Sequence, residues 1–178
     1  VQTCALPILI LIINSTRLHA QIQNGFSLIP GTAFVKNFNT MMSNANIPVF
    51  RALVNSIFVS FMAAVLTTYF SSMTAYGLYM YRFNGRNFAF KFILAVMMVP
   101  AQVSTLGFIK LISGIGLIDT LAALYIPSIA APVVFFYLYQ AMEATLPYSI
   151  VEAARVDGCN EFKTFNTIVL AMMKPSIA

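Results

Sequence analysis

Charge is scarce in this chain. Only 8% of its 178 residues are Asp, Glu, Lys or Arg, where a soluble domain carries roughly a quarter. There is no tryptophan, one histidine (His19) and two cysteines, Cys4 and Cys159. Each shortage excludes something. With 60% hydrophobic residues and a mean hydropathy of +0.83, the polar residues are too few to cover a soluble fold, so the solvent must be largely lipid. Cys4 lies in an apolar run and Cys159 in a charged one, which does not make a disulfide framework, and one His without a Cys/His cluster makes no metal site. Both thiols read as filler. The net charge is +5, but no basic stripe lies on a soluble face, which argues against a nucleic-acid partner. No phosphate loop of the form G-x-x-x-x-G-K-[S/T], metal cluster or nucleophile–base pair is present, so no enzyme, cofactor or ATP site of the chain's own is expected.

What is there is a succession of apolar runs. Residues 52–81, 92–112 and 120–142 read as three full transmembrane spans. Residues 4–14 hold about 11 apolar residues, half of what a span needs, and read as the end of a span. The chain opens on Val1 and stops at MMKPSIA without a closing feature, which suggests part of a longer protein. Residues 15–50 are rich in Asn and in turn formers such as Asn24-Gly25 and Pro30-Gly31, and read as a polar extramembrane segment. The loop 82–91 carries Arg82, Arg86 and Lys91 and no acid, whereas 113–119 carries only Asp119. Lys and Arg accumulate on the cytoplasmic side. That places 82–91 and the tail 143–174 in the cytoplasm and 15–50 outside. Tyr76, Tyr79 and Tyr81 then stand at the interface, where amphipathic rings concentrate.

Inside the spans, Pro100, Pro127 and Pro132 predict kinked helices. Gln102, Ser104 and Thr105 follow Pro100. An amide such as Gln102 is expensive to face toward acyl chains, so it either bonds a neighbouring helix or lines a water-filled path with Ser104 and Thr105. No charged residue sits near the middle of a span, and no inverted repeat is evident, which argues against a secondary transporter or channel. A membrane subunit without a pathway is the other alternative.

A third of the fifteen charged residues lie in VEAARVDGCNEFKTF, 151–165. Thr145 is an N-cap candidate with Pro147 in the first turn. Leu146, Ile150, Ala153 and Ala154 fall on one helical face. Gly158 is placed to end this helix in a left-handed conformation, and Asn160 to cap a second one with Glu161 in its first turn. The expectation is helix, glycine turn, helix. The small Ala153 and Ala154 would let another surface approach closely. Docking of a protein and rest on the chain's own bundle or on the membrane interface stand as equal readings of that face.

These residues carry a resemblance. Glu152-Ala153-Ala154, three residues, Gly158, nine residues, Ile168, one residue and Leu170 is similar to the EAA motif of importer-type ABC transporter permeases. EAARVDGCNEFKTF, together with NSIFVS (55–60), AYGLYMYRFNGRN (75–87), MMVPAQV (97–103) and GLIDTLAALYIP (116–127), resembles the carbohydrate branch, the maltose- and multiple-sugar-type permeases. Ala171 stands where that family usually has proline, with Pro175 four residues on. The resemblance implies an all-α polytopic bundle in a bacterial inner membrane. It also implies half of a sugar path formed with a second permease subunit, fed by an extracytoplasmic solute-binding protein and driven by cytoplasmic ATPase subunits that bind the ATP. Coupling residues are then Glu152, Ala153, Ala154, Arg155, Asp157, Gly158 and Ile168.

Overall fold

A computed structural model of the chain describes residues 2–44 and 48–177, with side chains for all of these except 2–5 and 101. Among them every regular element is helical. Two units are described separately, 1–56 and 57–178.

The first unit contains α1 (Gln2–Ser15), α2 (His19–Gln23) and α3 (Phe34–Met42). The segment 15–50, read from sequence as polar turns, therefore holds two helices; its residues 45–47 lie outside the described ones. Its loops are tied by local bonds. Thr16 Oγ1 accepts from the Gly31 amide at 2.8 Å, and the Asn37 side-chain amide donates to the Ser15 and Arg17 carbonyls at 2.9 Å each. Gly31 is required there, because a Cβ would lie 2.5 Å from the Thr16 carbonyl oxygen.

α4 runs unbroken over Val49–Met80. At about 1.5 Å per residue its 32 residues reach about 48 Å, longer than a bilayer core of about 30 Å, so it tilts or protrudes. In the second unit its packing is concentrated at one end. Ser71, Ser72, Ala75, Tyr76, Leu78, Tyr79 and Met80 are buried. Their partners in the core include Phe135, Leu138, Met142, Leu146, Val151, Phe165, Val169 and Met173.

The run expected as one kinked span, 92–112, is two helices, α5 (Arg86–Met97) and α6 (Ala101–Gly114), which meet at 104°. Pro100 does not sit within a helix. It stands as the extended N-cap of α6 (φ −60°, ψ 132°), as expected of a ring that blocks a helical hydrogen bond. The third apolar run is also interrupted. α7 (Ala122–Tyr125) passes into a 3₁₀ turn (Ile126–Ile129), and α8 (Pro132–Thr145) restarts at Pro132. The break is bound to α4: Thr67 Oγ1 donates to the Ser128 carbonyl at 2.8 Å, and Phe58 meets Tyr125 edge-on at 5.9 Å. Carbonyls freed in an apolar setting need such partners. Val49–Met80 and Ala122–Thr145 are long and apolar enough to cross a membrane, and the bent pair 86–114 makes a third if it counts as one span.

The chain then folds through α9 (Tyr148–Val156) and α10 (Glu161–Thr164), a π turn (Phe165–Val169) and α11 (Leu170–Ile177). Ala171 lies within α11, which continues through Pro175 to Ile177. The cost of continuing is that Pro175 offers no N–H to the Ala171 carbonyl.

Candidate functional site: the charged helical hairpin

α9 begins at Tyr148, two residues later than a cap at Thr145 would start it, because Leu146 and Pro147 are extended. Thr145 is the last residue of α8 and donates to the Ala141 carbonyl at 2.7 Å; the N-cap is Pro147, without a side-chain cap. Two tyrosines hold the start. Tyr79 Oη donates to the buried Leu146 carbonyl at 2.9 Å, and Tyr148 Oη donates to the Tyr79 carbonyl at 3.1 Å. The two rings stack at 4.8 Å. The end of α4 thus grips the entrance of α9.

The exit follows the expected glycine geometry. Gly158 has φ +78°, the left-handed region that a Cβ disfavours. Its amide donates to the Arg155 carbonyl at 3.0 Å and that of Cys159 to the Ala154 carbonyl at 2.9 Å, a Schellman pair that satisfies the helix end. Cys159 is a half-buried free thiol. Asn160 caps α10, its side-chain oxygen accepting from the Lys163 amide at 2.7 Å.

The faces of α9 differ from the sequence expectation. Val151 and Ala154 are buried against the core, at 0% and 4% exposure, with Leu146 buried just before them. Ala154 is therefore small because its own bundle packs on it. The open stripe is Ser149, Glu152, Ala153 and Val156, at i, i+3, i+4 and i+7. Val156, 87% exposed, is an apolar knob on it. Glu152 has no hydrogen bond or ion pair among the described residues, and Asp157 and Gly158 are exposed beside the stripe. Ile168 lies on the π turn, half-buried.

Arg155 is engaged within the hairpin and stays partly exposed. Its Nε donates to Glu161 Oε1 at 2.6 Å, and its guanidinium lies 5.6 Å from the centre of the Tyr81 ring. Tyr76 Oη donates to Glu161 Oε2 at 3.0 Å. That hydrogen bond from Arg155 holds the Glu161 carboxyl below the usual carboxylate range, and Glu161 in turn raises the guanidinium. So Glu161 ties the hairpin to α4. The sequence offered Glu161 as a dipole partner only; the long-range pair to Tyr76 had no local signal. Gln102, Ser104 and Thr105 lie exposed on α6, and no described contact joins Gln102 or Ser104 to the hairpin.

Comparison with known proteins fits this arrangement. The family profile for the binding-protein-dependent transport system inner membrane component matches residues 67–178. The arabinooligosaccharides transport system permease protein AraQ of Halalkalibacterium halodurans is 37% identical over 97% of this chain and 62% of its own length. The Bacillus subtilis AraQ is 41% identical over 77% of this chain and 48% of its own. The sn-glycerol-3-phosphate transport system permease protein UgpE of Brucella abortus is 32% identical over 98% of this chain and 64% of its own. The chain thus spans about half to two thirds of the curated relatives it matches. A solved bacterial ABC transporter involved in the import of the acidic polysaccharide alginate shares the fold, with a TM-score of 0.81 at 22% identity over 98% of this chain and 61% of that one.

Proposed function

Since the chain belongs to the family of binding-protein-dependent transport system inner membrane components, we propose that it forms half of an ATP-driven sugar path in a bacterial inner membrane, crossing it several times. A second permease subunit supplies the other half, and an extracytoplasmic solute-binding protein delivers the solute. Cytoplasmic ATPase subunits bind and hydrolyse the ATP. The relatives' names make arabino-oligosaccharides the first solute to try.

The observation that carries this reading is the outward stripe of α9. An apolar Val156 flanked by the small Ala153 and the acid Glu152 fits a cleft with an apolar floor and a basic rim on the ATPase. Closing the ATPase dimer would pull that stripe. Because Tyr79, Tyr148 and the Glu161 cluster fasten the hairpin to α4, the pull reaches an apolar helix rather than a loose loop. Gln102, Ser104 and Thr105 are offered as path-lining residues on the bent α5–α6 pair. Affinity purification of the whole permease from its native membrane tests the reading: a cytoplasmic ATPase should co-purify, and arabino-oligosaccharide uptake should require the permease. A permease that purifies without any ATPase sinks it.

A further inference from the structure

Residues 82–91 lead from α4 into α5 and carry Arg82, Arg86 and Lys91 without an acid. Gly85, at φ +97°, takes the left-handed conformation that turns the chain, and the Arg86 amide closes the turn on the Phe83 carbonyl at 3.2 Å. The turn brings both arginines to one pocket of about 370 Å³, lined by residues 82–87. Arg82 is exposed, with no hydrogen bond or ion pair among the described residues. Arg86 is half-buried, and Tyr139 orients it. Its Nη2 donates to Tyr139 Oη at 3.3 Å, and the Phe90 ring packs on that tyrosine at 4.8 Å. A guanidinium has five N–H donors, and this bond uses one of them on a neutral partner. Glu143, one turn past Tyr139 on α8, forms no ion pair with Arg82, Arg86 or Lys91 among the described residues. Beside the charges stands an apolar surface. Phe83, Phe88 and Phe92 are exposed, Phe88 at 75%, and the Phe88 and Phe92 rings stack at 6.2 Å. Lys91, also exposed, follows Phe88 by three residues and so shares its side of α5.

We infer that this loop binds the phosphate headgroup of an anionic phospholipid in the cytoplasmic leaflet, with Arg82 and Arg86 on the phosphate and the exposed phenylalanines beside the acyl chains. Charge selects the ligand: two guanidinium groups with donors to spare suit phosphate oxygens, and no carboxylate lines the pocket. Position selects its source. Tyr79 and Tyr81 mark the membrane interface directly before Arg82. A soluble phosphate would satisfy the arginines and leave three aromatic rings in water, whereas a phospholipid meets both the charge and the rings. The inference rests on the membrane-spanning permease reading with 82–91 on the cytoplasmic side.

The test is native mass spectrometry of the whole transporter, purified from its native membrane in mild detergent and titrated with dioleoylphosphatidylglycerol or with zwitterionic dioleoylphosphatidylcholine. The wild type should retain the anionic lipid at concentrations on the order of tenfold lower than the zwitterionic one, and Arg82→Gln should lose about fivefold of that preference. Lys91→Gln, outside the pocket, should lose less. Both residues are exposed, so neither substitution disturbs the core. Equal retention of the two lipids, or a preference unchanged in both variants, overturns the site. Loss of the ATPase from Arg82→Gln with the lipid preference intact also overturns it, and assigns the loop to an acidic protein surface. Displacement of the lipid by inorganic phosphate at matched ionic strength assigns it to a soluble anion instead. A separate measurement isolates the topology. Asn84→Cys, in a background with Cys4 and Cys159 replaced by serine, should react with a membrane-impermeant thiol reagent only from the cytoplasmic face. Reaction from the outer face removes the topology and the site together; reaction from the cytoplasmic face beside an unchanged lipid preference removes the site alone.

Discussion

Two of the chain's helix interruptions, the charged hairpin and the break before α8, are finished differently. At the hairpin the interruption is matched group for group. Gly158 and Cys159 close the end of α9, Asn160 opens α10, and Glu161 joins Arg155 to Tyr76. The buried Thr164 hydroxyl is an exception, without a partner among the described residues. At the break before α8, one carbonyl is matched by Thr67 while the facing Ser71 hydroxyl is not. The hairpin is tied by caps, an ion pair and stacked tyrosines. The break is tied to α4 through Thr67 and Ser128. The contrast is between a densely tied turn and a more sparsely tied break.

The largest effect should separate the two alanines of α9. Ala154→Glu puts an unpaired charge into the packed face and should cost more than about 4 kcal/mol, seen as loss of the permease from membranes. Next is Gly158→Val. At φ +78° a branched side chain adds about 1–3 kcal/mol of strain, so the thermal midpoint in detergent should drop and coupled uptake fall while insertion persists. At the break, Thr67→Val removes one hydroxyl-to-carbonyl bond and should cost only about 0.5–1.5 kcal/mol. A cost equal to that of Gly158→Val would erase the distinction between the densely tied turn and the sparsely tied break.

The smallest effect should come from Glu161→Gln, up to about 1 kcal/mol, because both partners of the pair are roughly two-fifths exposed. Its pH dependence has a definite sign. The folded carboxyl titrates below its unfolded value, so the pair stabilises above the ordinary carboxylate range and its contribution is lost as pH falls through the depressed value. The difference between wild type and variant should vanish in acid and shrink in high salt.

Much of this was legible in the sequence where physics is local. Long apolar runs gave α4, Gly158 gave the left-handed turn, and Asn160 gave a cap. The family followed from a motif whose spacing is met in full, and the profile match over 67–178 agrees with it. What was not legible depends on distant parts of the chain. Helical periodicity alone grouped Ala153 with Ala154, and only the packing of Val151 against the end of α4 and α8 separates them. The Tyr76–Glu161 bond joins residues 85 apart, and Tyr79 reaches Leu146 across 67. Pro100 was legible as a disturbance, but not as a 104° bend.

The central claim is that the outward stripe of α9, not its buried face, meets an ATPase. The measurement that tests it most directly is the amount of ATPase retained when Ala153→Glu permease is purified from membranes at matched permease levels. Because Ala153 is exposed, the variant should insert and fold as the wild type does, yet retain little ATPase and import no sugar. Wild-type retention together with normal sugar-stimulated ATP hydrolysis would contradict the claim.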